Sequence, residues 1–363
     1  MSLASESSID IAFYIGQLGG GGAERVVAAL ANEFSKRGFA ILVIANYFTE
    51  EEYSLLSSIE KVYLETGFEK RGFFTRNAAR IGSLRRLCTK RRVKNLICFM
   101  AEPNFRGLAA TFGTQTRVFL SVRNDPSKEY PGRSLDLAKL VFPYADRIVF
   151  QTHEAQAVFP EKVRCKSRII ANPVDDAFFF VVPDYSSQLI VTAGRLAPQK
   201  NFTLLIEAFS LLIEEFPAIE LEIYGDGEDA KKLQDSITKL NLTGHVQLMG
   251  RSVDMPSVYS KAGIFVMSSN FEGMPNALME AQAVGLPVIS TDCPCGGPCE
   301  LIDEGKSGML VPVGDAGALA SAISLLLRTP ELRSKLGAGA RESASRYHVS
   351  LVADVWLDML KEG

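Results

Sequence analysis

No apolar run in the 363 residues approaches the roughly 18 consecutive apolar side chains that a membrane-crossing helix needs, so no spanning segment is expected. The opening MSLASESSID has neither a basic region nor an apolar one behind it; export is not expected, and the cytoplasm is the expected compartment. Cysteine is scarce. Cys88, Cys98, Cys165, Cys293, Cys295 and Cys299 are too few and too scattered for a disulfide framework, which fits a reducing environment. Histidine is scarcer: His153, His245 and His348 have no metal-ligand spacing and read as structural or surface side chains. Also missing are G-x-G-x-x-G, the P-loop, a convincing D-x-D, short repeats and low-complexity tracts.

Acid is missing from one stretch. Residues 70–94 hold Lys70, Arg71, Arg76, Arg80, Arg85, Arg86, Lys90, Arg91, Arg92 and Lys94 without one carboxylate, although the net charge of the chain is only −3. Phe73, Phe74, Ile81, Leu84 and Leu87 recur at near-helical spacing among them. A basic amphipathic surface of this kind suits anionic lipid, and a solvated helix face is the plain alternative. Nucleic acid is not an expected partner, because no recognition motif accompanies the patch.

What is present is a soluble, globular composition, 47% hydrophobic and 22% charged, in a chain long enough for two cores. Short apolar runs alternate with amphipathic ones: strands are expected at 9–15, 40–47, 93–100, 116–122 and 147–152, with a helix at 23–38. The pattern begins again with strands at 188–195, 220–227, 245–251, 263–269 and 286–291, and helices at 203–216 and 229–240. Two doubly wound parallel sheets follow, with a cleft between them and ligands beyond the carboxyl ends of the strands. Residues 172–187, rich in Pro, Asp and Ser, read as the linker.

Three motifs fall at strand ends. Gly19, Gly20, Gly21 and Gly22 precede a helix, where backbone N–H groups suit an anion or a sugar hydroxyl; a tight turn is the alternative. Arg195 and Lys200 in AGRLAPQKN place two cations before a helix, a suitable grip for a diphosphate, although a loop with ordinary basic residues reads the same way. SSNFEGMPNALME carries Glu272 and Glu280; eight helical residues are about 800°, about 80° past two turns, so both acids can approach one ligand. Ala277, Leu278, Ala281 and Val284 form the apolar side of that helix, and solvated helix-end charges are the alternative.

In order and spacing, these stretches resemble the retaining glycosyltransferases of family 4, which have the GT-B architecture of two Rossmann-like domains. The features that carry the resemblance run nearly end to end: the glycine loop before Ala23-Glu24-Arg25, Ala145 to Val149, Ile170 to Asp175, Gly194-Arg195-Leu196 with Lys200-Asn201, Gly225 to Glu228, Met249-Gly250-Arg251, the E-x7-E pair and Gly308 to Val311. The resemblance implies a first, acceptor domain of 1–175 completed by a C-terminal helix at 346–363 with Trp356 as its anchor, and a donor domain of 176–345. It implies that Arg195 and Lys200 hold the donor diphosphate, that Glu280 accepts from the ribose hydroxyls and that Glu272 contacts the donor sugar. Gly273, Met274, Pro275 and Asn276 would offer backbone amides, Gly20, Gly21 and Gly22 would close on the ligand, and Gly250, Arg251 and Val253 would surround the base.

The implied activity is that of a hexosyltransferase of polysaccharide or glycoconjugate biosynthesis, moving a sugar from a nucleoside diphosphate, by expectation UDP, to a glycan or lipid-linked acceptor. No cofactor and no metal are expected, and the protein is expected in the cytoplasm or peripherally on the inner face of the membrane. No carboxylate suited to double displacement is evident, so a front-face reaction is expected, with retention implied by the family. Other readings on the same architecture are a nucleotide-sugar epimerase, a phosphorylase or a non-catalytic nucleotide-sugar binder.

One place departs from the family's usual pattern, and a cysteine cluster calls for a choice of reading. Where many relatives carry a histidine after the fourth strand, this chain has Arg123, expected either to serve sugar or phosphate or to pair with Asp125 or a neighbour. In DCPCGGPCE, Cys293, Cys295 and Cys299 lack a fourth ligand for zinc, and the stretch reads instead as the loop beside the donor.

Overall fold

The computed structural model describes residues 8–65 and 72–362. Packing divides the chain into two units: one runs through Pro173 and takes back the chain from Val349 onward, and the other is Val174–His348.

The first unit is built on a sheet of β1 (Ile11–Ile15), β2 (Ile41–Ala45), β3 (Glu60–Tyr63), β4 (Asn95–Phe99), β5 (Arg117–Ser121), β6 (Arg147–Phe150) and β7 (Ser167–Ile169). The second holds β8 (Leu189–Ala193), β9 (Glu220–Tyr224), β10 (Val246–Gly250), β11 (Ile264–Met267), β12 (Val288–Thr291) and β13 (Met309–Val311). Among the described residues the sheet orders are β3-β2-β1-β4-β5-β6-β7 and β10-β9-β8-β11-β12-β13, and each neighbouring pair is parallel. Central strands such as IAFYI and ILVIA are buried at all five positions, because helices cover both faces of a parallel sheet.

Helix α1 (Gly22–Lys36) turns Val26, Val27, Leu30, Ala31 and Phe34 inward, while α2 (Phe73–Lys90) and α3 (Ala101–Thr111) follow β3 and β4. The helix Val349–Lys361 belongs to the first unit's core: Trp356 is fully buried, its ring 6.0 Å from that of Phe99.

Three strands escaped the sequence pattern. β3, β7 and β13 are three or four residues long and lie at sheet edges, where a mixed, half-solvated run such as EKVY or SRI carries no continuous apolar signal. The expected linker at 172–187 is packed rather than free: Asp175 caps a turn over Asp176–Phe180, Phe178 and Phe179 are buried, and Tyr185 donates to the Gly285 carbonyl (3.0 Å). The helix expected to reach residue 216 ends at Ser210.

Strand order reverses between β1 and β4 in the first sheet and between β8 and β11 in the second. At such switch points neighbouring loops part in opposite directions and open a crevice beyond the carboxyl ends of the strands.

Candidate active site

The loops after β8, β11 and β12 lie at the second unit's switch point and are tied to one another by side chains. Ser268 donates to the carbonyls of Lys200 (3.0 Å) and Asn201 (3.1 Å), Asn270 Nδ2 to Pro198 (2.8 Å), and the Asn270 N–H to Gln199 (2.8 Å). At their centre, Glu272 Oε1 accepts from Lys200 Nζ (2.6 Å) and Ser269 Oγ (2.7 Å), and Oε2 accepts from Gln199 Nε2 (3.3 Å). Both partners of the ion pair are largely buried. Glu272 thus holds the ammonium in place as well as presenting an oxygen. It lies before the helix Asn276–Val284, so the helical-turn spacing to Glu280 expected from the sequence does not apply.

The third loop closes the arrangement from behind. The Glu272 N–H donates to Pro294 O (2.7 Å), and the Cys295 N–H donates back to Glu272 O (3.0 Å). Gly297 lies so near that a Cβ there would sit 1.7 Å from Gly273 O. Gly273, Met274 and Pro275 are buried and lead into the helix that carries Asn276 and the buried Glu280. Burial, with the charge of Glu272 adding to it, pushes the Cys293 thiol up to about 12. That thiol stays neutral, and among the described residues no group of three or more His, Cys, Asp or Glu is placed to hold a metal ion.

Arg195 is exposed at the end of β8, on the same loop as Lys200. Leu196 donates through its N–H to Asp226 O (2.7 Å), and Gly225 to Gly250 O (2.8 Å), which draws the ends of β8, β9 and β10 together. Arg251 pairs with Asp226 (2.9 Å), and the Val253 side chain is fully exposed. The structure therefore gathers Arg195, Lys200, Glu272, Gly273, Met274, Pro275 and Asn276 around one switch point, and sets Gly250, Arg251 and Val253 at the end of β10.

Gly20, Gly21, Gly22 and Arg123 belong to the first unit. Gly20 takes a φ of 82°, open to glycine at little strain, Gly21 caps α1 and Gly22 begins it. Arg123 lies in the wall of the unit: Nη1 donates to Ser121 Oγ (3.2 Å), Nη2 to Asn172 Oδ1, and the guanidinium sits 4.9 Å from the Phe99 ring centroid. Burial holds its pKa below the arginine range, at about 9, with the charge of Glu129 opposing the shift. The expected pairing with Asp125 is replaced by another contact: Asp125 Oδ1 accepts from the Ser127 N–H (2.8 Å), while Glu129 accepts from the N–H groups of Arg123 (2.7 Å) and Asn124 (2.8 Å).

Much of the basic stretch is also taken up by partners within the unit. Lys70 and Arg71 lie outside the described residues. Arg76 and Arg80 bind Glu65, Arg91 binds Glu60, Lys94 binds Asp10 (2.8 Å), and Arg85 donates to the carbonyls of Ala110 (3.1 Å) and Phe112 (2.7 Å). Arg86, Lys90 and Arg92 remain exposed on α2 and just beyond it, with Phe74 85% exposed. Gln199 and Ser269 were not legible as site residues, since an amide and a hydroxyl in polar loops give no pattern until the fold brings them to Glu272.

A doubly wound pair of units with cations and carboxylates at a switch point defines an α/β protein whose site is suited to an anionic ligand. The Glycosyltransferase Family 4 model matches residues 20–178 and the Glycosyl transferases group 1 model residues 175–343. A GalNAc-alpha-(1->4)-GalNAc-alpha-(1->3)-diNAcBac-PP-undecaprenol alpha-1,4-N-acetyl-D-galactosaminyltransferase of Campylobacter jejuni is 25% identical over 360 residues, 97% of this chain and 98% of that one. Uncharacterized glycosyltransferase MJ1059 of Methanocaldococcus jannaschii is 34% identical over 208 residues, 52% of this chain; the match spans half (50%) of that protein's length. The crystal structure of Anabaena Alr3699/HepE in complex with UDP-glucose superposes with a TM-score of 0.82 at 19% identity, over 98% of this chain and 100% of that one. The chain belongs to the family 4 glycosyltransferases, and its fold is GT-B.

Proposed function

We propose that the protein transfers a hexose from a UDP-linked donor to a hydroxyl of a glycan or lipid-linked acceptor, with retention and without a metal ion. The observation that carries this reading is the convergence of Arg195, Lys200 and Glu272, with the start of the helix bearing Glu280, on the second unit's switch point. Arg195 and Lys200 supply two cations for the diphosphate, and the N-terminus of the helix Asn276–Val284 adds a positive dipole end. Glu280 is assigned to the ribose hydroxyls and Glu272 to the donor sugar. Two similar proteins, Anabaena Alr3699/HepE in its complex with UDP-glucose and the Campylobacter jejuni transferase of an undecaprenol-linked glycan, support the donor and acceptor classes.

In the front-face reaction the anomeric C–O bond to the diphosphate breaks and the acceptor oxygen bonds to the same face of the sugar. The departing diphosphate oxygen takes the acceptor's proton. The protein's part is electrostatic: positive charge fixed in advance where negative charge grows on the leaving group. Lys200 is suited to it, because Glu272 holds its ammonium and Ser268 holds its backbone carbonyl, which leaves the charge little freedom to reorganise.

The membrane part of the reading rests on Arg86, Lys90, Arg92 and Phe74, a smaller basic and apolar surface than the sequence alone describes. No helix of the described residues is long and apolar enough to cross a membrane. Donor identity is tested by thermal shift with UDP, GDP and ADP sugars. Arg195→Ala is expected to weaken UDP binding on the order of tenfold or more, the loss of a charge-assisted contact of about 1.5–3 kcal/mol, with little change in melting temperature. Unchanged UDP affinity would sink the diphosphate assignment.

A further inference from the structure

The first sheet's reversal, between β1 and β4, carries a cluster of charge that donor binding does not use. Tyr14 of β1 is fully buried and donates to Asn46 Oδ1 (2.8 Å) at the end of β2. Glu65, just past β3, binds both Arg76 and Arg80 of α2. From α3, Arg106 Nη2 donates to Glu102 Oε2 (2.5 Å) and Nε to Asn77 Oδ1 (2.9 Å), while Arg80 Nη1 stands 4.0 Å from the same Glu102 oxygen. Four strand ends thus contribute to one group of side chains at the place where an open α/β sheet binds ligands.

The cluster is unbalanced. Among the described residues three guanidiniums face two carboxylates; Arg80 Nε and Arg106 Nη1 are buried without a hydrogen bond of ordinary geometry, and Arg106 otherwise reaches only the buried Tyr14 hydroxyl, where its charge opposes the rise in pKa that burial causes. Arg91, Arg123 and Arg333 each leave a buried Nε in the same way; what sets this place apart is that two such arginines share one exposed carboxylate, Glu102, an arrangement that another anion can complete. Burial lowers the pKa of Arg80, and the charge of Arg106 lowers it further, as expected of like charges brought together out of water. The arginine side chains are only 9% and 6% exposed, whereas Glu102, which bridges them, is 64% exposed. Its carboxylate stands where an incoming oxyanion would meet both guanidiniums, and its exposure lets it swing out into water.

We propose that Arg80 and Arg106 form an oxyanion subsite at the β1/β4 switch point for a phosphate or carboxylate of the acceptor, with Glu102 holding the place until that anion displaces it. The word acceptor rests on the glycosyl-transfer reading; the anion site itself does not. Planar guanidinium forks suit the paired oxygens of either group. The subsite restricts the acceptor to a charged one, such as a sugar on a diphosphate carrier or a glycan with an acidic residue.

The test uses the full chain saturated with UDP, so that donor-site phosphate binding is blocked, and titrates inorganic pyrophosphate and, separately, glucuronate by calorimetry. Glu102→Gln, an exposed substitution that removes the competing charge, is expected to tighten the preferred anion on the order of fivefold. Arg106→Gln is expected to abolish binding wherever the variant folds. Pyrophosphate binding with the Glu102→Gln gain identifies a phosphate acceptor, and glucuronate binding with the same gain a carboxylate one. No binding of either anion to the wild type and Glu102→Gln, or an affinity that Glu102→Gln leaves unchanged or weaker, overturns the proposal. UDP affinity is read in the same samples, so failure of the donor reading shows separately as absent UDP binding.

Discussion

The second unit's switch point, between β8 and β11, is closed by hydrogen bonds between loops around one ion pair, whereas the first unit's, between β1 and β4, is closed by charge around two buried arginines. In the second, Lys200 meets Glu272, and the carboxylate's oxygens take up Ser269 and Gln199. In the first, two guanidinium nitrogens, Arg80 Nε and Arg106 Nη1, are left over, whereas in the second the atoms left over are neutral, Thr192 Oγ1 and Gln282 Oε1. A site whose loops are already satisfied is set before its ligand arrives. One with leftover donors is incomplete, and its occupant completes it.

The largest way to break the comparison is to remove one member of the second unit's central pair. Glu272→Ala leaves the Lys200 ammonium largely buried with its counter-charge gone, and Lys200→Met does the reverse. Each is expected to destabilise by about 3–5 kcal/mol in urea unfolding, and the double substitution by less than the sum of the two. Strict additivity would show that the pair does not organise the loops.

The next effect is steric. Gly297→Ala forces a methyl group against the Gly273 carbonyl, and with it the loop that leads into the Glu280 helix. A loss of about 1–3 kcal/mol is expected from overpacking, together with weaker UDP binding, because the displaced loop carries the proposed donor contacts. Stability and UDP affinity both unchanged would mean that the two loops do not depend on each other.

Titration separates the units further. Burial raises the Glu129 carboxyl from its ordinary 4.5 to about 7, against the N–H groups of Arg123 and Asn124 that favour its ionised form. The folded chain therefore holds that proton more tightly than the unfolded one. Its contribution is fully present below about pH 4.5 and is lost as pH rises through about 7. Glu129→Gln is expected to flatten the fall in stability over that window; an unaltered profile would assign the titration elsewhere.

Most of the architecture was legible because the central strands are continuous apolar runs, and the second unit's site was legible because it is local. Arg195 and Lys200 lie five residues apart, Glu272 and Glu280 eight, each at the end of a readable strand. The first unit's cluster draws on β1, the end of β2, the residue after β3, α2 and α3, and no spacing links Tyr14, Glu65, Arg80 and Arg106 in advance. The basic stretch misled for a related reason. Its carboxylate partners, Glu60, Glu65 and Asp10, precede it in the chain and are invisible in a window that holds only cations.

The smallest expected effect concerns what that stretch leaves outside. Were all ten cations directed to solvent, attraction to an anionic surface would be strong; among the described residues Arg76, Arg80, Arg91 and Lys94 are in ion pairs and Arg85 is on carbonyls, while Arg86, Lys90 and Arg92 stand exposed at the surface. Basic side chains near an anionic leaflet contribute about 1 kcal/mol each at most, screened within roughly 10 Å at 0.1 M salt. Binding to phosphatidylserine-containing vesicles is therefore expected to be weak and to fall as salt rises. Phe74→Ser should weaken it at every salt concentration, since Phe74 acts by insertion rather than by charge. Replacing Arg86 and Arg92 with Gln should remove the salt dependence, and equal binding to neutral vesicles would refute an electrostatic dock and leave α2 a solvated helix whose arginines serve the interior.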